Sequence, residues 1–180
     1  MNHHDRLFLG GFTNNIFDFD IERLRVLRQL SIANEQSDCI IMKCSPISHA
    51  SSRNGILCTG SSNGQIILRD PSSLKFLHKF HPHSGSLSDF EVHGNQLVTC
   101  GFSLTRGGNL GVDRFLMVYD LRMMRSLSPV QLIIEPCFLH FLPMCSSVIA
   151  VGSQVNFENL DFIYFTGIRI ILKVRMFSIE

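Results

Sequence analysis

Three apolar segments of this chain each end on an aspartate, and the three aspartates are evenly spaced. The segments are Ile16-Phe17-Asp18-Phe19-Asp20, Gln65-Ile66-Ile67-Leu68-Arg69-Asp70 and Phe115-Leu116-Met117-Val118-Tyr119-Asp120, so Asp20, Asp70 and Asp120 stand 50 residues apart. A glycine-ended apolar stretch precedes each, over residues 7–11, 56–60 and 97–101. Self-similarity at roughly 40–50 residues marks a repeat architecture, and its strand-rich form is the β-propeller. One blade cannot bury its own apolar faces and must stack on neighbours. The pattern therefore predicts an all-β chain of consecutive blades.

Composition narrows the function classes. The chain is 45% hydrophobic and 17% charged, the balance of a globular protein rather than a disordered one. Its net charge of +1 gives no global attraction to nucleic acid or to a membrane, so any such contact must come from a local patch. The six cysteines (Cys39, Cys44, Cys58, Cys100, Cys137, Cys145) show no C-x-x-C spacing, and no apolar leader stands at the amino terminus. They read as reduced, mostly buried thiols of a cytosolic or nuclear protein. The apolar stretch over residues 162–174 is shorter than the roughly 20 residues that span a bilayer, and Thr166, Arg169 and Lys173 interrupt it.

Along the chain, residues 6–45 read as strand, turn, strand, turn, strand, strand. A helix competes over residues 20–30, where Ile21, Leu24, Leu27 and Leu30 have helical spacing, but the repeat favours strand. The second copy is the cleanest. Asn63-Gly64 between two apolar runs is a strong hairpin signal, and residues 74–80 supply an outer strand. The third copy carries an insertion over residues 102–114, read as a loop that leaves the blade surface and can carry function. Residues 121–125 follow as a turn and residues 127–134 as an outer strand, and Pro136 then breaks the chain. Residues 138–142 and 148–151 give two more strands. About three blades are expected over residues 6–154, fewer than the roughly four to eight of a closed ring. Residues 155–180 lack blade punctuation and form an unmatched tail. An incomplete ring leaves open faces and edges, which predicts a poorly soluble isolated chain.

Few motifs carry chemistry. Gly60-Ser61-Ser62-Asn63-Gly64 matches G-x-S-x-G, but the nucleophile elbow needs a helix after the serine and here a strand is expected. His78, His81 and His83 could hold zinc if they converged, yet on a strand His81 and His83 would share a face while His78 points away. A solvated inter-blade loop is the plainer reading. Arg106, Arg114, Arg122 and Arg125 form the local basic concentration within the repeats and are candidates for a phosphate or acidic-partner contact. Asp20, Asp70 and Asp120, with Asn63 and Gly64, read as structural blade turns, the carboxylates accepting hydrogen bonds from turn amides. No catalytic, cofactor-binding or metal-binding residue is assigned.

Two segments carry a more specific signal: residues 84–95, and residues 113–125 with the run Asp120-Leu121-Arg122-Met123-Met124-Arg125. With Cys100-Gly101-Phe102-Ser103, and with Pro136, Phe138, Leu139, Phe141 and Pro143 continuing it, they resemble the N-terminal WD-repeat propeller of the catalytic subunit of the poly(A)-nuclease deadenylation complex. The resemblance runs over about residues 7–154. It implies a non-catalytic propeller fragment that scaffolds contacts in shortening mRNA poly(A) tails, in the cytoplasm and its P-bodies, with nuclear presence also compatible. The implied partners are a pseudokinase-like regulatory subunit and, through it, poly(A)-binding protein and mRNA, with no membrane and no small-molecule substrate. Magnesium belongs to the family's exonuclease portion, whose acidic residues map to no position here. The chain lacks tryptophan, so Phe19-Asp20, Arg69-Asp70 and Tyr119-Asp120 stand where a Trp-Asp pair would. The tail from Val155 matches nothing in that family and reads as a truncation or intron read-through. The competing reading is a stand-alone WD-repeat interaction module unrelated to deadenylation, and a third is a small hydrolase resting on Ser62.

Overall fold

The computed structural model describes residues 6–11, 13–33, 38–45, 55–105, 107–142 and 149–153. These residues form fifteen β-strands and no α-helix. The chain divides into two compact units, residues 1–81 and 82–180.

The first unit holds two antiparallel sheets. One is β1 (Arg6–Leu9), β2 (Asn15–Asp20) and β3 (Arg25–Ser31), in that spatial order. The other is β4 (Ile41–Ser45), β5 (Ile56–Gly60), β6 (Ile66–Arg69) and β7 (Phe76–Phe80), again in chain order. β2 alternates strictly, with Ile16, Asp18 and Asp20 buried and Phe17 and Phe19 half-buried, and strand wins over the competing helix at residues 20–30 because β3 is held on it by an antiparallel ladder. Residues 21–24 turn, and β3 pairs back on β2. Strands β5 and β6 are buried at every position, as befits central strands covered on both faces. A small core of Ile16, Ile32 and Cys39, flanked by Leu30 and Met42, draws on both sheets.

The second unit repeats the plan with an excursion. β8 (Leu87–His93) pairs with β9 (Gln96–Leu104), which pairs with β11 (Phe115–Asp120). The outer strand is in two pieces, β12 (Arg125–Ser126) and β13 (Val130–Gln131), both on β11. Residues 102–114 are not a plain loop: β9 runs on through Leu104 and pairs with β10 (Leu110–Val112) as a second hairpin. The expected outer strand over residues 127–134 is broken because Pro129 has no N–H for the ladder. Tyr119 faces Ser126 while Leu116 faces Val130, so the outer strand carries one extra residue there, a bulge. A final pair, β14 (Pro136–Phe141) and β15 (Ile149–Ser153), follows. Pro136 opens β14 rather than breaking the chain, since the first residue of a strand tolerates a missing donor. Val98, Cys100, Leu116, Val118, Leu139, Phe141, Ile149 and Val151 make one apolar core from these strands. Two sheets are complete and two are partial, in accord with about three blades of an incomplete propeller. The expected tail, residues 155–180, lies outside the described residues.

Candidate functional site

The repeat is written into the backbone of its turns. Each Asp-ended strand leads into a turn whose fourth residue has positive φ: Leu24 at 49°, Leu74 at 58° and Met124 at 51°. In the first two sheets the ladder also slips at the same point, between Asp18 and Phe19 and between Leu68 and Arg69. The aspartates hold the turns from inside. Asp20 Oδ1 accepts the Arg23 amide at 2.9 Å, Asp70 Oδ1 the Ser72 amide at 3.1 Å, and Asp120 Oδ1 the Arg122 amide at 2.8 Å. The Arg23 amide, and then its guanidinium at 3.1 Å, lower the Asp20 pKa against the opposing effect of desolvation. Each of these carboxylates accepts a hydrogen bond from an amide of its own turn.

Asn63 and Gly64 lie in the turn between β5 and β6. Gly64 has φ of 77°, its amide donates to Ser61 O at 3.2 Å, and β6 follows directly. The Ser62 amide donates to Asp38 Oδ1 at 2.7 Å. The motif therefore sits in a strand–turn–strand, without the helix that an elbow serine needs.

The candidate arginines separate. Arg106 lies outside the described residues. Arg114, 58% exposed, donates from Nη2 to Glu135 Oε1 at 2.9 Å, which takes it out of an open basic patch. Arg122 and Arg125 are exposed together on the β11–β12 turn, with Met123 54% exposed between them. The surface that survives is thus two guanidiniums around a methionine.

The histidines separate as well, and this corrects the solvated-loop reading for His83. His81 is exposed and its Nε2 meets Asn63 O at 3.2 Å. His83 is 2% exposed, with Nε2 against Thr99 Oγ1 at 2.9 Å and Nδ1 against Asp113 Oδ2 at 3.1 Å. Ser103 Oγ donates to the same Asp113 oxygen at 2.8 Å. A Cβ on Gly101 would sit 2.7 Å from Ser86 O and 3.0 Å from the His83 ring, so glycine is what lets the ring lie there. Among the described residues no three His, Cys, Asp or Glu side chains are placed to hold a metal ion.

A second buried polar network escaped the sequence. Asp18, fully buried, accepts Arg6 Nε at 2.8 Å and Arg28 Nε at 3.0 Å. The guanidiniums go on to the turn of the next sheet, Arg6 Nη2 to Pro71 O at 3.0 Å and Arg28 also to Ser72 O. An aspartate between two apolar residues on a strand was the available signal, since a buried carboxylate demands partners. The described cysteines are free thiols. Cys39, Cys58, Cys100 and Cys137 are buried, whereas Cys44 is exposed.

Successive antiparallel sheets, three of which turn into their outer strand on a capping aspartate, define a WD-repeat propeller segment. A family model described as PAN2 N-terminal matches residues 1–171, which takes in residues 155–171 of the tail expected to be unmatched, and the chain belongs to that family. It is 41% identical over 150 residues to the PAN2-PAN3 deadenylation complex catalytic subunit PAN2 of Gallus gallus, covering 83% of this chain and 12% of that protein. Against the subunit of the same name from Homo sapiens the identity is 40% over 148 residues, with 82% of this chain and 11% of that protein covered. The chain thus spans about an eighth of these relatives. Among solved structures, the Neurospora crassa Pan2 WD40 domain superposes with a TM-score of 0.71 at 18% identity, over 86% of this chain and 45% of that one. The computationally designed Ika4 protein gives 0.63 at 15% identity, over 85% of this chain and 82% of that one. At these identities the two structures speak for the fold.

Proposed function

We propose that this chain is the non-catalytic propeller portion of a deadenylase catalytic subunit, a scaffold that docks a PAN3-type regulatory subunit and messenger ribonucleoprotein during poly(A)-tail shortening. The observation that carries the reading is the family match over residues 1–171. The site chemistry agrees with it. The aspartates are bound to turn amides, the buried histidine is hydrogen-bonded on both nitrogens, and the Ser62 turn has no helix behind it. What remains outward is a contact surface, Arg122 and Arg125 flanking Met123, suited to an acidic or phosphate-bearing partner. The family's magnesium-dependent hydrolysis would reside elsewhere in a longer protein. The free thiols suit a reducing, cytoplasmic setting.

The test is co-purification of the tagged chain with a PAN3-type subunit, with a poly(A) shortening assay on the chain alone. Retention of the subunit with no shortening supports the scaffold. Failure to retain it at micromolar concentration points to the stand-alone interaction module, and shortening by the pure chain overturns the non-catalytic reading.

A further inference from the structure

The spacing Arg-x-x-Ser occurs three times among the described residues, at Arg28–Ser31, Arg69–Ser72 and Arg125–Ser128. A serine kinase that reads an arginine three positions before its target needs that guanidinium and the hydroxyl both in solvent, on a backbone it can draw out. The structure rejects the first two copies. Arg28 is held on Asp18 and on the carbonyls of Pro71 and Ser72. Arg69 is 2% exposed within β6, and Ser72 lies inside the Asp70 turn with its amide bound there.

The third copy meets every condition. Arg125, Ser126, Ser128 and Pro129 are all exposed. They lie on the outermost strand of their sheet, where no described strand pairs with the far side of β12 or β13. The ladder is already open there: the Leu127 amide reaches Val118 O at 2.7 Å, pairing resumes at Val130, and Ser128 and Pro129 fall in the bulge between. Proline after Ser128 also holds the serine backbone extended, the form that a kinase cleft accepts. Arg122 adds a second cation six positions before the serine.

We propose that Ser128 is a phosphorylation site for a serine kinase that selects arginine three residues before, and proline directly after, its target. The γ-phosphoryl group of ATP passes to Ser128 Oγ. The bond from the γ-phosphorus to the bridging oxygen breaks, the Oγ–P bond forms, the hydroxyl proton goes to the kinase's base, and ADP leaves. The product carries a charge of about −1.5 to −2 beside Arg122 and Arg125. It cancels the basic character of the Arg122–Arg125 pair, so a surface suited to an anionic partner becomes one that repels it.

The test is phosphorylation of the intact 180-residue chain by a recombinant proline-directed kinase of the dual-specificity class with magnesium-ATP, mapped by peptide fragmentation. A synthetic peptide of residues 120–133 serves as the unfolded control. The expected result is one phosphate on Ser128 of the folded chain, absent in Ser128→Ala and slowed about tenfold in Arg125→Gln, the scale of one lost charge-assisted hydrogen bond. Circular dichroism of both variants should match the parent. Labelling of the peptide but not of the folded chain overturns the accessibility argument. Equal labelling of Ser31, Ser72 or Ser126, or labelling of neither chain nor peptide, overturns the site.

Discussion

His83 and Asp113 are joined by a 3.1 Å hydrogen bond, and the aspartate also receives Ser103 Oγ at 2.8 Å from the neighbouring strand. The imidazole is thereby tied both to the excursion after β9 and, through Thr99, to the middle of β9 itself. His83→Ala breaks both bonds and strands buried polar atoms. We expect a loss of about 2–3 kcal/mol in a urea titration, from two hydrogen bonds of roughly 1 kcal/mol each plus desolvation left uncompensated. Asp113→Asn, which keeps a side-chain acceptor, should cost less than half as much.

Leu24 and Leu74 share a backbone state but not an environment. Leu24 is 76% exposed, so its side chain gains little from packing while left-handed φ costs it about 1 kcal/mol. Leu24→Gly should stabilise the chain by about 0.5–1 kcal/mol. Leu74 is 4% exposed, and Leu74→Gly should destabilise by about 2 kcal/mol, because lost burial exceeds relieved strain. Opposite signs in thermal melts of the two variants are the check.

Asp20 sets an acid limit. Its pKa is lowered in the folded chain, chiefly by the Arg23 amide. The unfolded carboxyl titrates near about 3.9. A depressed folded value contributes stability that is fully present above the unfolded pKa and is lost as pH falls through the folded one. Urea midpoints should therefore drop on acidification below that range, and the Asp20→Asn variant should show a shallower drop.

Removing Asp18 should be more severe than removing either arginine. Asp18→Ala removes the fully buried carboxylate from between the Arg6 and part-exposed Arg28 guanidiniums, and we expect a loss of about 3 kcal/mol. Arg28→Ala leaves Arg6 still paired with the carboxylate and should cost less. Denaturant titration of both variants gives the order.

Thiol labelling should follow burial. Desolvation raises the Cys39 thiol to about 11 and drives Cys58 higher still, so the reactive thiolate is scarce at both. Among the described cysteines Cys44 should react first with a maleimide in the native chain, though more slowly than a free thiol because desolvation raises it too. Cys39 and Cys58 should label only in urea, with mass spectrometry assigning the order.

The strands were legible because a two-residue alternation and a glycine or asparagine at each turn are local signals. Asp20, Asp70 and Asp120 could be placed because the turn amides they cap are two or three positions away. His83 could not be placed, since its partners are Thr99 in β9 and Asp113 in the link between β10 and β11, and no local pattern announces them. The left-handed residues were hidden for another reason. Leucine and methionine stand where glycine would have marked the conformation. Arg114 looked like one of a basic group until the fold brought Glu135 within 2.9 Å. Arg69, read as a degenerate partner of Asp70, proved to be buried along with the apolar residues beside it.

The excursion built from the end of β9 and from β10 has its own short ladder, Phe102 to Leu104 against Leu110 to Val112, while the blade proper closes lower down at Thr99 opposite Met117. The Ser103–Asp113–His83 bonds fasten its base, and Leu104 and Leu110 stand opposite each other, both about 60% exposed, near its tip. Above that fastening the Leu104 amide still donates to Ser84 Oγ at 2.8 Å, and beyond it Thr105 bonds Asn109 and Gly108 so that the tip closes on itself. The tip is a natural graft point, a place where a lineage or an engineer can splice in a reporter or a new recognition loop without retuning the blade that carries it.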